Sequence, residues 1–180
     1  MRVEPWNPAL APRDTELVQA IESRRGGALL NLDRMLLWSE PLARGWNVYL
    51  RALRQELALS PLLRELAICV VAKITGAEYE YHQHAPELKK AGASDAQLGA
   101  LEDPDGASAS DLFNGLEQAV IRFAIASTRE VRISNVVFDS LKQQMSQTEL
   151  VELVAVTAAY NMVARFLVAL QVTPELAPNT

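Results

Sequence analysis

Three side chains able to move protons lie close together in this sequence: Glu65, Glu80 and His84. A carboxylate set beside an imidazole is a general acid–base pair, the imidazole exchanging a proton and the carboxylate orienting it. Glu65 stands in the run Arg64-Glu65-Leu66-Ala67-Ile68, surrounded by apolar residues. A buried, uncompensated carboxylate there would cost several kcal/mol, so it is expected to be paired, hydrogen-bonded or protonated. Glu80 and His84 are four residues apart, one helical turn, in Thr75-Gly76-Ala77-Glu78-Tyr79-Glu80-Tyr81-His82-Gln83-His84. If a hairpin brings Glu65 towards His84, each is expected to tune the other's pKa towards neutrality.

The elements that must position these groups read as helices. Ser60-Pro61 is a helix start, with Ser as N-cap and Pro at the first helical position. The helix over residues 61–74 is apolar nearly all round, which suits the centre of a bundle or a subunit contact. Gly76 breaks it, and a second helix runs to about residue 91. On that second helix Ala77, Glu80, Tyr81, His84 and Leu88 share one face, polar in the middle and apolar at its ends, the pattern of a pocket lining. His82 falls on the opposite side. Upstream, helices are expected over residues 15–25, 31–38 and 41–57, the last with Leu42, Trp46, Tyr49, Leu50 and Leu53 on one side. Trp46 is the candidate pocket wall. Trp38, Tyr49, Phe113 and Phe138 read as core aromatics.

Downstream, a short helix covers residues 95–101 and the acidic, turn-rich stretch 102–110 reads as a linker. Helices follow from Asp111, from Ser134 and, after the capping box Ser146-Gln147-Thr148-Glu149, over residues 150–170. In the last one Thr157, Asn161 and Arg165 form a polar stripe. Asn161 and Arg165 are candidate substrate-binding residues, since a guanidinium grips a carboxylate in forked geometry. A hydrogen-bond ladder along the helix is the other reading. Glu65 likewise has two readings, proton chemistry with His84 or a buried ion pair with Arg165.

The totals narrow the function classes. The chain has 180 residues, 49% of them hydrophobic, and a net charge of −5. That fits one all-helical domain over 1–180: an N-terminal arm and helix (1–30), a core (31–172) and a tail (173–180). No basic cluster follows a phosphate backbone, so nucleic acid is not an expected partner. No apolar run is expected to approach the roughly 18 residues of a membrane span, so no membrane partner is expected either. The opening residues lack an apolar signal core, and a cytoplasmic location is expected. The single cysteine, Cys69, precludes an intramolecular disulfide or a CxxC pair and reads as an inert buried thiol. His82 and His84 lack the i, i+4 spacing of a helical metal site, and no metal is expected.

With these residues in hand, the chain resembles the carboxymuconolactone decarboxylase family, which includes the alkylhydroperoxidase D branch. The resemblance runs over residues 30–172. It is carried by Arg64-Glu65-Leu66-Ala67-Ile68, by Thr75 to Tyr81 with His84, and by Ala91-Gly92-Ala93-Ser94-Asp95. Val131-Arg132-Ile133-Ser134, Leu150-Val151-Glu152-Leu153 and Tyr160-Asn161-Met162 complete it. It implies an all-α, alkylhydroperoxidase D-like helical bundle with a central helix hairpin, assembled as a trimer or hexamer. In the redox branch a Glu is followed, after eleven residues, by Cys-x-x-Cys-x-x-x-His; here the Glu is Glu65, the His is His84, and Ala77 and Glu80 occupy the cysteine positions. A peroxidase of that type needs a thiolate and a resolving partner, so peroxiredoxin activity is not expected. The resemblance implies instead a cofactor-free, decarboxylase-like lyase for a small carboxylated or lactone metabolite. Glu65, Glu80 and His84 would be catalytic, and Trp46, Tyr81, Asn161 and Arg165 would bind substrate. A non-catalytic ligand-binding oligomer is the alternative.

Overall fold

The computed structural model describes residues 1–130 and 132–175. Val131, which opens one of the family-like runs, and residues 176–180 of the expected tail lie outside the described residues. Among the described residues every regular element is helical: α1 Thr15–Arg25, α2 Asn31–Leu36, α3 Glu40–Gln55, α4 Pro61–Thr75, α5 Glu78–Lys90, α6 Asp95–Ala100, α7 Pro104–Ala107, α8 Gly115–Arg129, α9 Asn135–Lys142 and α10 Gln147–Leu170. The described chain divides into two compact units, one of Met1–Glu56 with residues 169–175, the other Leu57–Val168.

In the N-terminal unit, Asp14 caps α1 by accepting from the Glu16 amide, and Gly26 closes it in the left-handed region. The buried residues of α3 are Ala43, Trp46, Leu50 and Leu53. Leu42 and Tyr49 are exposed, so the apolar stripe sits one residue further round than the sequence suggested. Trp38 is also exposed, with its indole N–H donating to the Glu4 carbonyl. The arm supplies a core aromatic in its place: Trp6 is buried and its N–H donates to the Ala11 carbonyl at 2.8 Å.

The second unit is built around α4. Ser60 caps it by accepting from the Leu63 amide, Pro61 opens it, and every residue from Glu65 to Ala72 is buried. It packs on α5 and α8, as an all-round apolar helix must. Gly76, at φ +65°, terminates it, and that left-handed residue lets α5 fold back beside it. The stretch 102–110 is not a bare linker. It contains α7, clamped by both guanidinium nitrogens of Arg129 on Asp105 at 2.8 and 2.7 Å. Asp111 does not start α8; Asn114 does, in a capping box with Glu117. Phe113 is buried, while Phe138 is only half-buried.

α10 begins at the expected capping box, with the Ser146 amide donating to Glu149 at 2.9 Å. It corrects one expectation: at 24 residues it is long and apolar enough, by length and composition, to cross a membrane. Half of its most apolar stretch is buried inside the protein, as in a core helix.

Candidate active site

The hairpin of α4 and α5 brings together the two groups that the sequence marks. His84 Nδ1 lies 2.6 Å from Glu65 Oε2, both side chains almost wholly buried. The second carboxylate oxygen, Oε1, accepts from Arg64 Nε at 3.0 Å. Consecutive helical residues do not ordinarily face one another, yet Arg64 makes this contact and keeps only 14% of its side chain exposed. Burial alone would raise the Glu65 pKa. The hydrogen bond and charge of His84, then those of Arg64, outweigh it and hold the carboxyl below its ordinary range. The expectation that the pair would move Glu65 towards neutrality is therefore corrected. The interactions with His84 and Arg64 together favour the carboxylate more than burial disfavours it.

Tyr160 of α10 closes over the imidazole, ring edge to ring face, with centroids 4.9 Å apart and planes at 87°. It is fully buried. Glu80, one turn before His84 on α5, is 2% exposed. Burial, then the negative charges of Glu65 and Glu80, push the Cys69 thiol far up against a partial opposing effect of Lys73. Cys69 is thus a protonated, inert thiol.

The predicted face of α5 is rotated in part. Tyr79 is buried beside Glu80, His84 and Leu88, whereas Tyr81 is half-buried on another side. The Tyr81 hydroxyl donates to the Leu98 carbonyl at 3.3 Å, and its ring lies 3.7 Å beneath Lys73 Nζ. Burial, helped by Cys69 and Glu102, pushes its pKa up to about 12. Tyr81 and the exposed His82 line a pocket of about 540 Å³ with Lys73, Glu78 and Pro86. A different pocket, of about 400 Å³, is lined by Ser60, Leu62, Arg64, Glu65, Glu87 and Lys90 among others. Of the three acid–base candidates, Glu65 alone lines it.

Trp46 belongs to α3 in the N-terminal unit, where it is buried. Asn161 donates to the Thr157 carbonyl at 3.0 Å and to Thr128 Oγ1 at 3.1 Å. Arg165 is exposed and donates to the carbonyl and side-chain oxygens of Asn161 at 2.9 and 3.1 Å. These bonds make the ladder along α10, and Glu65 takes Arg64 and His84, rather than Arg165, as its partners. Arg64 and Tyr160 are the site residues that reading for chemistry passed over. A guanidinium next to its carboxylate in sequence does not announce a contact on a helix, and an aromatic on a distant helix does not announce a contact with His84.

Residues 40–124 match the model of the carboxymuconolactone decarboxylase family. That segment holds the whole α4–α5 hairpin, hence Arg64, Glu65, Glu80 and His84. No curated protein sequence matches the chain. Among solved structures, the alkylhydroperoxidase AhpD core of a peroxidase-related protein from Ralstonia eutropha JMP134 superimposes with TM-score 0.81 at 16% identity, covering 97% of this chain and 92% of that one. A peroxidase-related protein from Silicibacter sp. TM1040 gives TM-score 0.77 at 18% identity, over 96% and 95% of the two chains. The debrominase Bmp8 in complex with 2,3,4-tribromopyrrole gives 0.76 at 20% identity, over 99% and 94%. At these identities the likeness establishes the fold: all-α and alkylhydroperoxidase D-like.

Proposed function

We propose that this chain is a decarboxylase-like acid–base enzyme, working without a cofactor on a small carboxylated or lactone metabolite. The observation that carries the reading is the 2.6 Å contact of His84 Nδ1 with Glu65, whose carboxyl is held ionised and borders a pocket of about 400 Å³. The volume suits a small metabolite. When carbon dioxide leaves such a substrate, the electron pair of the broken carbon–carbon bond passes into the lactone carbonyl system, which serves as the electron sink. A proton must then reach carbon. His84 supplies it through Glu65, the member of the pair that borders the pocket, and Glu65 stabilises the cationic form of the ring. Glu80, buried one turn away, relays the proton. Tyr81, occupied by the Leu98 carbonyl and raised in pKa, is the weaker relay.

A homo-oligomer, trimer or hexamer, completes the proposal. Its support is the outward side of α10, where Val151, Val154, Met162 and Val168 are exposed. The second reading, a non-catalytic ligand-binding oligomer, draws on one observation: both oxygens of Glu65 are engaged within the protein. Thiol peroxidase chemistry is disfavoured, because Ala77 and Glu80 stand at the motif's cysteine positions and the Cys69 thiol is buried.

The test is carbon dioxide release from a panel of small lactone carboxylic acids. Loss of turnover in His84→Ala and Glu65→Gln is expected; unchanged turnover in both would retire the acid–base reading in favour of the ligand-binding one.

A further inference from the structure

We infer that the pocket over Arg64 is a carboxylate subsite: the Nη1 and Nη2 edge of Arg64 receives the carboxylate of a small organic acid. The inference rests on the acid–base reading above and gives it an anchor. An arginine offers five N–H donors in a planar fork. Among the described residues Arg64 makes its hydrogen bond through Nε, to Glu65. That contact fixes the guanidinium plane and leaves its outer edge, the one suited to a two-pronged grip on a carboxylate, for the pocket it lines. The side chain does not extend into solvent, as a surface arginine would, but is 14% exposed in the pocket wall. A guanidinium held in place by a neighbour loses less freedom on binding than a free one.

The pocket's charge selects the kind of anion. Its lining holds Arg64 and Lys90 against Glu65 and Glu87, and Lys90 is bonded to Glu87 at 2.6 Å. These formal charges cancel. A monoanion gains the Arg64 fork without meeting a net negative wall, whereas a dianion such as phosphate brings a second charge that nothing there offsets. The apolar part of the lining, Pro61, Leu62 and Ala91, receives the hydrocarbon of the acid. Substrate carboxylate and Glu65 then share one guanidinium, so binding is coupled to the residue that orients His84.

The coupling gives the experiment opposite signs for neighbouring residues. Sodium benzoate, with benzamide as its neutral counterpart and inorganic phosphate as the dianion, is titrated calorimetrically into the full chain. Benzoate is expected to bind, with benzamide and phosphate weaker by about tenfold or more. Arg64→Gln is expected to weaken benzoate by about tenfold or more, and Arg64→Lys to restore part of the loss. Glu65→Gln is expected to tighten benzoate severalfold, because the competing charge is gone. If Arg64→Gln alone does not fold, the double variant R64Q/E65Q, in which both charges are removed together, is compared with Glu65→Gln and should show the same loss. Equal binding by those two variants, equal binding of benzamide and benzoate, or no benzoate binding by the wild-type chain overturns the subsite. The two proposals fail separately. Benzoate responses as stated, with turnover surviving Glu65→Gln, leave the subsite and remove the acid–base role. Turnover lost in Glu65→Gln with benzoate indifferent to Arg64 does the reverse.

Discussion

His84 Nδ1 and Glu65 Oε2 meet at 2.6 Å across the α4–α5 hairpin, and the contact fixes which ring nitrogen carries its proton towards the carboxylate. Replacing Glu65 by Gln keeps the shape and removes the charge. Turnover is expected to fall by about 10²- to 10⁴-fold. The low-field Nδ1 proton signal of His84 is expected to disappear from the NMR spectrum. A retained signal with retained turnover would show that Glu65 does not govern the ring.

The same carboxylate sets an acid limit on stability. Its folded pKa is depressed below the ordinary 4.5 by His84 and Arg64 acting against burial. A depressed carboxylate contributes stability that is complete above its unfolded pKa and is lost as pH falls through the folded value. The denaturation free energy is therefore expected to decline below about pH 4.5, and Glu65→Gln to flatten that decline. At pH 7 the substitution is expected to destabilise by about 1–3 kcal/mol, because Arg64 and His84 lose a charged acceptor. Urea titrations from pH 3 to 7 measure both effects.

Tyr160 tests packing against chemistry. It is fully buried in a T-shaped contact with His84, so Tyr160→Ala is expected to destabilise by about 3–5 kcal/mol through the cavity it leaves. Tyr160→Phe keeps the ring and is expected to lose less than half as much. Denaturant midpoints of the two variants separate the cases; equal losses would mean that the hydroxyl matters more than the ring.

Gly76 carries the reversal between the two helices. At φ +65° any side chain there is strained, although an added Cβ would meet nothing within 4 Å. Gly76→Ala is thus expected to cost about 1–2 kcal/mol from backbone conformation alone. Gly76→Asn should recover part of it, since Asn tolerates the left-handed region. Thermal midpoints that ignore both substitutions would contradict the role assigned to this turn.

Cys69 should be silent. Buried and held protonated, it is expected to react with an aromatic disulfide reagent only as fast as the chain unfolds. Cys69→Ala should leave any turnover unchanged. Rapid labelling of the native chain, or peroxide consumption that Cys69→Ala abolishes, would restore thiol chemistry to consideration.

The hairpin was legible in the sequence because its signals are local. Ser60-Pro61 starts a helix, Gly76 stops it, and a carboxylate in an apolar helix demands a partner wherever it folds. What escaped the sequence depended on tertiary competition. Asn114 with Glu117 outbid Asp111 as the α8 cap, since a reciprocal box satisfies more amides than a lone acid. α7 stayed hidden because four residues carry no periodicity, and its clamp comes from Arg129 far along the chain. Tyr79 and Tyr81 are both compatible with a helix rim, and only the neighbours of α5 decide that Tyr79 turns inward. Trp6 could not be ranked above Trp38 by pattern, because an irregular arm has no face to count. The apolar length of α10 is hidden in the sequence because Thr157, Asn161 and Arg165 interrupt the apolar run while its mean hydropathy stays high.

The acid, the imidazole and the cation all ride on one pair of consecutive helices. Their mutual placement is set by a single turn and a single helix–helix seam, leaving distant segments free to drift. Such a cassette can survive extensive rewriting of the surrounding chain, which fits a fold held in common at 16–20% identity. It also makes this hairpin the natural fragment to graft onto a sturdier relative when the chemistry is to be separated from its scaffold.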